Sequence, residues 1–263
     1  MDRYTEANRQ GWATLAADHY TTFRNRLQAN DTTLTPTQCE ELGDISGKRV
    51  LHLQCNVGAD SISLARLGAI VTGVDLVPEN VDFARRLAAD FDIADAVFIE
   101  SDVLDLMSTH HEKYDVVFTT EGVLCWINDL DLWARNVRHV LSDDGFLYLL
   151  DGHPFYMIWD EARLPDLVVK YPYFHKNVER DTTLGGYASE PKEAEHFTWM
   201  YTMGGIVNAL SGAGLHIDWL HEYDWAYTRD SDTQQASEET GGYVFPELRG
   251  KLPFTFSLRA SIR

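Results

Sequence analysis

The chain has few cysteines and none in a pairing pattern. Cys39, Cys55 and Cys125 are its three cysteines in 263 residues, and they are widely separated. Disulfide scaffolds and cysteine-based zinc sites need more cysteines or closer spacing, so we expect small buried thiols in a reducing compartment. The histidines and acidic residues also lack a metal-ligand spacing such as HxxxH, and no metal is predicted.

Long apolar runs are also missing. No run approaches the roughly 18 residues that a membrane-spanning helix needs, and the N-terminal sequence MDRYTEANRQGW has no signal-peptide core. We therefore expect a cytoplasmic protein without a membrane partner. A hydrophobic fraction of 44% in 263 residues suits one α/β domain with insertions.

Basic residues are scarce relative to acidic ones. Lysine and arginine number 22 against 41 aspartates and glutamates, which gives a formal net charge of −19. Such a charge repels the phosphate backbones of DNA and RNA, so no nucleic-acid partner is expected. Acidity also serves solubility alone, and it identifies no partner by itself.

The most informative stretch begins at the first buried strand. Val50–Leu53 and Ala69–Val74 are short apolar runs typical of strands, and Ser61–Leu67 between them has apolar residues with helical spacing. Strand, crossover helix and parallel strand form the unit that opens a doubly wound nucleotide-binding sheet. Asp75 then follows the second strand, where a carboxylate can accept hydrogen bonds from the two hydroxyls of a ribose. Capping of the helix that begins near Pro78 is the alternative role.

The loop Gln54–Asp60 contains one glycine, Gly58. It therefore fails the G-x-G-x-x-G pattern of dinucleotide-binding loops, which argues against a pyrophosphate ligand. A nucleoside without phosphates needs close approach to the backbone at fewer positions of the loop, and therefore fewer glycines. Asp60 and Ser61 are expected to cap the helix that follows.

The rest of the first half alternates strands and helices. Strand patterns occur in AVFIESDV, YDVVFTTEG and FLYLLDG, and helical patterns in residues 4–28, Pro36–Leu42, Pro78–Asp90 and Asp129–Leu141. This alternation predicts a parallel sheet with helices on both faces.

The second half is less regular. Residues 152–195 and 225–250 are rich in aromatic residues, proline and glycine without clear periodicity, and they are predicted to be insertions. EHFTWMY, LHIDWLHEYD and LPFTFSLRASIR have strand patterns, and TMGGIVNALSGAG is a helix with a glycine stop.

These motifs resemble class I S-adenosylmethionine (SAM)-dependent methyltransferases of the small-molecule type. Three residues match the family's first motif, V-L-D-x-G-C-G-x-G: Leu51, Cys55 and Gly58. His52, Gln54 and Asn56 replace its acid and two of its glycines. The stretch YDVVFTTEGVLCWINDLDLWARNVRHVLSDDGFLYLLDGHPF looks like the family's fourth and fifth strands, and FTFSLRA like its closing strand. The resemblance spans most of the chain and points to an uncharacterised bacterial branch.

The resemblance implies an α/β fold, a Rossmann-like doubly wound sheet of seven strands. The last strand would lie antiparallel between the fifth and sixth. One methyltransferase domain would occupy residues 1–263. Its parts would be an N-terminal helical lid (1–35), a SAM-binding core (36–151), cap or substrate insertions (152–195 and 225–250) and segments that complete the sheet (196–224 and 251–263).

The resemblance also implies SAM as cofactor and S-adenosylhomocysteine (SAH) as product. An acid at the position of Asp102 would reach the adenine amino group, and the N–H of Val103 a ring nitrogen; a helix cap is the alternative for Asp102. Glu121, the only charge in a long apolar stretch, would contact cofactor or acceptor. The expected cofactor-binding residues are Leu53, Gln54, Cys55, Asn56, Gly58, Asp75, Leu76, Asp102, Val103 and Glu121, with Trp12 and Tyr20 from one face of a closing N-terminal helix.

A small-molecule acceptor would be methylated by in-line displacement. His153, just past the fifth strand, is a candidate general base, and a turn histidine bonded to the backbone is the alternative. The expected acceptor pocket consists of Trp126, His153, Phe155, Tyr156 and Trp199. Two other functions stay open: a non-catalytic SAM-binding protein, and a nicotinamide-dependent oxidoreductase, which the missing glycines disfavour. The methylated atom and the oligomeric state also stay open.

Overall fold

The structure, a computed structural model, describes residues 1–174 and 177–262. Its helices are α1 (Arg3–Ala13), α2 (Ala16–Ala29), α3 (Pro36–Leu42), α4 (Ala59–Arg66), α5 (Pro78–Asp90), α6 (Leu106–Thr109), α7 (Leu130–Val140) and α8 (Met203–Gly212). Its strands are β1 (Arg49–Leu53), β2 (Ile70–Asp75), β3 (Val97–Glu100), β4 (Tyr114–Thr119), β5 (Leu141–Gly152), β6 (Glu179–Leu184), β7 (Lys192–Thr198), β8 (Leu215–Tyr223), β9 (Gln235–Ala236), β10 (Tyr243–Val244) and β11 (Thr255–Ile262). Two residues of the predicted insertion 152–195 and the last residue of the closing strand lie outside the described residues.

Seven of the described strands form one sheet in the order β3-β2-β1-β4-β5-β11-β8. Strands β1 to β5 are parallel, and β11 runs antiparallel between β5 and β8. The predicted fold class, a doubly wound sheet with an antiparallel last strand, is therefore confirmed. Strand order reverses between β1 and β4, which places the switch point at the carboxyl ends of these two strands.

Apolar side chains of the central strands fill both faces of the sheet. In β4, Val117 packs with Trp133 of α7 on one face, and Phe118 packs with Tyr148 of β5 on the other. A further cluster joins α2, α4 and α5, with Phe98 of β3 among its members. Because these strands are buried on both faces, their sequences read as continuous apolar runs rather than as alternating ones.

The helix predicted over residues 4–28 is two helices. The helix is interrupted at Thr14 and Leu15, where the Thr14 hydroxyl donates to the Gly11 carbonyl at 2.7 Å. Helix α1 packs against β7, whereas α2 packs against α5, and a single straight helix could not make both contacts. Trp12 and Tyr20 therefore do not share one helix face, and that expectation was wrong.

The strand predicted in EHFTWMY lies outside the central sheet. It belongs to β7, which pairs with β6 in a separate antiparallel hairpin. The Asn8 side chain of α1 holds this hairpin: its amide nitrogen donates to the Phe197 carbonyl and its oxygen accepts from the Phe197 N–H, both at 2.7 Å. The part of segment 196–224 that completes the sheet is β8, and the other predicted insertion contains the short pair β9–β10.

No helix in the described part of the chain combines the length and the apolar character that crossing a membrane requires.

A buried carboxylate ties α3 to the far side of the sheet. The Glu41 carboxylate accepts hydrogen bonds from Tyr148 Oη at 2.7 Å, Tyr223 Oη at 2.5 Å, Ser257 Oγ at 2.8 Å and His221 Nδ1 at 2.6 Å. The Glu41 side chain is 8% exposed, so water contributes little to its solvation. These donors come from β5, β8 and β11, and Glu41 thus joins three strands that are far apart in sequence.

We expect Glu41→Ala to lower the free energy of unfolding by about 2–4 kcal/mol, because it leaves several hydroxyl groups without an acceptor. Urea denaturation followed by circular dichroism measures this change. The exposed neighbour Glu40 offers a matched control. Its replacement by alanine should change stability by no more than about 0.5 kcal/mol. Equal small effects of the two substitutions would contradict the role of Glu41.

Candidate active site

The β1–α4 loop keeps a left-handed backbone where the first motif has glycine. The φ angles are +53° at Gln54, +50° at Asn56 and +80° at Gly58. Residues with a Cβ adopt this region at a cost of about 1–2 kcal/mol, which asparagine bears most easily. The loop therefore follows a path suited to glycine although two of the three positions carry side chains.

Asp75 connects this loop to the start of α5. Its Oδ2 accepts from the Asn56 N–H at 2.8 Å, and its Oδ1 accepts from the Val77 N–H at 2.9 Å and from Asn80 Nδ2 at 3.2 Å. Burial raises the pKa of Asp75, and these hydrogen bonds counter the rise. A carboxylate has about four acceptor positions, so one position remains for a ligand hydroxyl.

Of the other residues predicted around the first motif, some pack in the core and others lie nearer the surface of the loop. Leu53 and Cys55 are buried in the core, so only their backbone can face a ligand. A Cβ on Gly58 would stand 2.9 Å from Ala84 Cβ and from Phe98 Cε1, so glycine is required here by packing as well as by φ. Leu76, next to Asp75, is half-buried.

The expected cap of α4 is absent. Gly58 is the N-cap residue, and no side chain bonds the free N–H groups of the described helix start. The Asp60 carboxylate instead accepts from Thr33 Oγ1 at 2.5 Å and Thr120 Oγ1 at 3.4 Å, and burial raises its pKa. Ser61 Oγ bonds Nδ1 of buried His52 at 2.8 Å. The capping prediction was therefore wrong, because α4 begins inside the protein, where other partners reach these side chains.

Asp102 and Val103 follow β3 as predicted. Asp102 Oδ1 accepts from the Leu104 N–H at 2.9 Å, and burial raises the pKa of this carboxyl. Asp102 borders a cavity of about 690 Å³. Other residues that line it are Asp2, Tyr4, Asn128, Leu132 and Trp199. The start of α1 therefore stands beside the end of β3.

Asp151, at the end of β5, is a site residue that sequence reasoning missed. Its carboxylate accepts from the N–H groups of Gly122 at 2.7 Å, Val123 at 3.2 Å and Leu124 at 2.9 Å. A further bond comes from the Gly152 N–H at 2.7 Å. The signal was available, since Asp151 ends a buried strand as Asp75 does. Asp151 fixes the loop after β4 much as Asp75 fixes the loop after β1.

Glu121 begins the loop that Asp151 holds. It is half-buried, and we find no hydrogen-bond partner for its carboxylate among the described residues. Burial, with contributions from the Asp60 and Asp151 charges, raises the pKa of Glu121 to about 8. Arg26 of α2 acts in the opposite direction. Glu121 thus stands among carboxylates at the switch point.

Two further residues cover the β1–α4 loop and were not predicted. His19 of α2 is fully buried, and its Nδ1 lies 3.1 Å from Asn56 Nδ2 and 3.5 Å from the hydroxyl of Tyr187. Tyr187 lies between β6 and β7, and its hydroxyl is 3.3 Å from Asn56 Nδ2. No short-range pattern links these three residues, which come together only when the hairpin folds over α2.

The two aromatic residues predicted to close the cleft, Trp12 and Tyr20, contact different parts of the protein. The rings of Trp12 and Trp126 meet edge to face with centroids 5.2 Å apart, and Trp12 also contacts His19. Tyr20 instead stacks on Phe83 of α5 at 5.0 Å, and its hydroxyl donates to Asp90. The structure therefore contradicts a cofactor contact for Tyr20, because its helix face is the one that packs on α5.

His153 has both ring nitrogens engaged. Nε2 lies 2.9 Å from Glu222 Oε1, and Nδ1 accepts from the Phe155 N–H at 3.0 Å. The ring is 5% exposed in total and meets Phe256 edge-on, and burial lowers the pKa of this imidazole. This arrangement leaves no ring nitrogen for an acceptor proton. The geometry favours the alternative, a histidine that fastens a turn, over the general base.

The residues predicted for the acceptor pocket have different contacts. Trp126 and Trp199 lie near α1. The backbone N–H of Trp199 donates to the Cys125 carbonyl at 2.8 Å. Phe155 packs edge to face on Trp159, with ring centroids 5.3 Å apart. Tyr156 packs on Phe254 and donates its hydroxyl to Asp230 at 2.6 Å. The acceptor pocket formed by these five residues stays a prediction.

Comparison with known proteins bears on this arrangement. Residues 51–147 match a family model described as a methyltransferase domain. A fatty-acid O-methyltransferase of Mycolicibacterium smegmatis is 32% identical over 123 residues, which is 45% of this chain and 43% of that protein. A ubiquinone biosynthesis O-methyltransferase of Actinobacillus pleuropneumoniae is 30% identical over 112 residues, 41% of this chain and 47% of that protein. The chain thus spans less than half the length of these relatives.

Solved structures share the fold over a greater length. A SAM-dependent methyltransferase from Mesorhizobium loti has a TM-score of 0.58 at 21% identity, covering 86% of this chain and 95% of its own. One from Clostridium acetobutylicum has a TM-score of 0.57 at 14% identity, covering 92% of each chain. The predicted resemblance is confirmed: residues 51–147 match a methyltransferase domain, in a chain with the Rossmann-like fold of SAM-dependent methyltransferases.

Proposed function

We propose that this protein transfers a methyl group from SAM to a small-molecule acceptor by in-line displacement. The observation that carries the proposal is Asp75, a buried carboxylate at the end of β2 that organises the β1–α4 loop and keeps one acceptor position for a ribose hydroxyl. The domain match and the fold support it. The names of the two O-methyltransferases described above indicate that those enzymes act on small molecules. This similarity favours an oxygen atom as the methylated atom of the acceptor.

The residues present fit SAM. Gln54 Oε1 is buried and has no hydrogen-bond partner among the described residues, although its Nε2 donates to the Val123 carbonyl at 3.0 Å. An orphaned buried acceptor is costly, and the ammonium of the methionine end would satisfy it. Asp75 would hold the ribose, and Asp102 with the Val103 N–H would hold the adenine. When bound, SAM supplies a methyl group already activated on a sulfonium.

The protein's own contribution is then placement and exclusion of water. Helix α2 and Tyr187 cover the β1–α4 loop, and Trp12 with Trp126 gives aromatic surface beside it. Holding an acceptor in line with the transferred methyl can lower the barrier by about 7–11 kcal/mol. A cytoplasmic location is proposed from the free cysteines Cys39, Cys55 and Cys125.

Methyl transfer is tested directly with SAM that carries a ¹³C-labelled methyl group. The purified protein is incubated with a panel of fatty acids, phenols and amines, and mass spectrometry detects the labelled product together with SAH. Formation of both supports the proposal. Binding of SAM without product from any acceptor class would favour a non-catalytic SAM-binding protein, and binding of NAD without SAM an oxidoreductase.

We expect Asp75→Ala to weaken SAM and SAH binding by about tenfold or more, because ribose hydroxyls lose their acceptor and the loop at Asn56 loses its anchor. Isothermal titration calorimetry measures both affinities. Asp82→Ala is the matched control, since this α5 aspartate is 76% exposed. Thermal unfolding of both variants separates loss of affinity from loss of folded protein. Equal affinities of the two folded variants would contradict the proposed ribose contact.

We expect His153→Ala to leave SAH affinity unchanged within about twofold while it lowers the melting temperature. The substitution removes the partner of Glu222 and of the Phe155 N–H, a loss of about 1–3 kcal/mol. In a chain of this size that corresponds to a melting temperature lower by several degrees, about 2–4 °C per kcal/mol. Calorimetry and thermal unfolding provide the two readouts. An unchanged melting temperature would show that the turn does not depend on this histidine.

A further inference from the structure

We propose that Glu121 is the counter-charge of the sulfonium and the residue by which the protein distinguishes SAM from SAH. The inference rests on the proposed function, since it assumes that these compounds occupy the cleft at the switch point.

The position of Glu121 is fixed from both sides. It lies two residues after the end of β4, whose neighbour in the sheet is β1, and Gln54 of the β1–α4 loop bonds the Val123 carbonyl at 3.0 Å. The Asp151 carboxylate holds the N–H groups of Gly122, Val123 and Leu124. The backbone that carries Glu121 is therefore set by protein contacts rather than by a ligand. Ligands of doubly wound sheets collect at this switch point.

The hydrogen bonds of the surrounding acids differ from those of Glu121. Asp151 has four backbone donors, and Asp60 has the hydroxyls of Thr33 and Thr120. The Glu121 carboxylate has no donor among the described residues. Glu121 is thus the carboxylate of this group that is free to face a ligand.

The charges that face Glu121 come from several elements. Asp60 of α4 and Asp151 of β5 repel a negative charge there, and exposed Arg26 of α2 attracts it. The hydroxyls of Tyr148, Tyr187 and Tyr227 also interact electrostatically with Glu121. Near neutral pH these phenols are uncharged, because burial raises the pKa of each. The carboxylates near Glu121 therefore outnumber Arg26, and a cationic ligand would offset the excess negative charge.

The sign of the pH dependence follows from linkage. In the free protein the pKa of Glu121 is raised to about 8, so most molecules carry a protonated Glu121 at neutral pH. A nearby sulfonium stabilises the carboxylate and lowers this pKa, whereas a neutral thioether does not. The SAM complex then holds fewer protons than the free protein, and SAM affinity rises with pH until the free protein is itself deprotonated, above about pH 8. SAH affinity lacks this component.

The experiment is calorimetric titration of the full-length protein with SAM and with SAH at pH 6, 7 and 8. Both compounds carry an amino and a carboxyl group, and the Glu121→Gln protein serves as the reference for the pH dependence that these ligand groups contribute to the ratio of the two affinities. We expect the ratio in favour of SAM to rise by about tenfold between pH 6 and pH 8. Repeating the titration at pH 7 in phosphate and in Tris counts protons, because the buffers differ in ionisation enthalpy. SAM binding should release a proton and SAH binding should not.

Glu121→Gln removes the titrating group and keeps the shape, so the rise of the affinity ratio with pH should be lost in this variant. Glu112→Gln, at a surface glutamate that pairs with Arg49, is the matched control and should behave like the wild type. A wild-type ratio independent of pH, or a Glu121→Gln protein that retains the dependence, would overturn the inference and leave the proposed function standing. Binding of neither compound would overturn both. If the Glu121→Gln protein does not fold, the number of protons that the wild type releases on binding SAM still tests the inference.

Discussion

The hydrogen bonds of Asp75 are the constraint on which the rest of the site depends. A carboxylate buried at the end of β2 must find donors, because an unpaired buried charge is costly. The donors it finds include the backbone N–H groups of Asn56 and Val77, which belong to the loops that follow β1 and β2. Asp151 repeats the arrangement at the end of β5 with the loop that follows β4. Two strand-end carboxylates thus set the backbone of the loops that border the cleft.

This way of holding loops has an electrostatic consequence. Burial raises the pKa of Asp75, Asp60 and Asp151, and it also acts on Glu121 between them. Asp75, Asp60 and Asp151 each accept hydrogen bonds from protein donors, and Asp75 keeps one acceptor position, whereas we find no protein donor for the Glu121 carboxylate among the described residues. The cleft is therefore built to accept positive charge, which suits a sulfonium and is poorly suited to an anionic acceptor placed beside Glu121.

Closure of the cleft depends on parts of the chain outside the methyltransferase domain match. The β6–β7 hairpin is fastened to α1 through Asn8, and it brings Tyr187 to His19 and Asn56. Residues 51–147 supply the sheet edge and its carboxylates. The segments before and after them supply α2 and Tyr187, which cover the β1–α4 loop.

The sequence by itself determined the strands, the crossover helices and the acids at strand ends, because local periodicity and the position after a strand are short-range properties. The antiparallel last strand was expected only from the resemblance to class I methyltransferases. Asp151 had the same signal as Asp75 and went unrecognised. Only the tertiary structure decided where side chains point: Tyr20 turns to α5, Asp60 bonds Thr33 rather than capping a helix, and His153 pairs with Glu222, 69 positions away in sequence. Each of these choices depends on which distant surface packs against the element, and that information is carried by the folded core as a whole rather than by any window of residues.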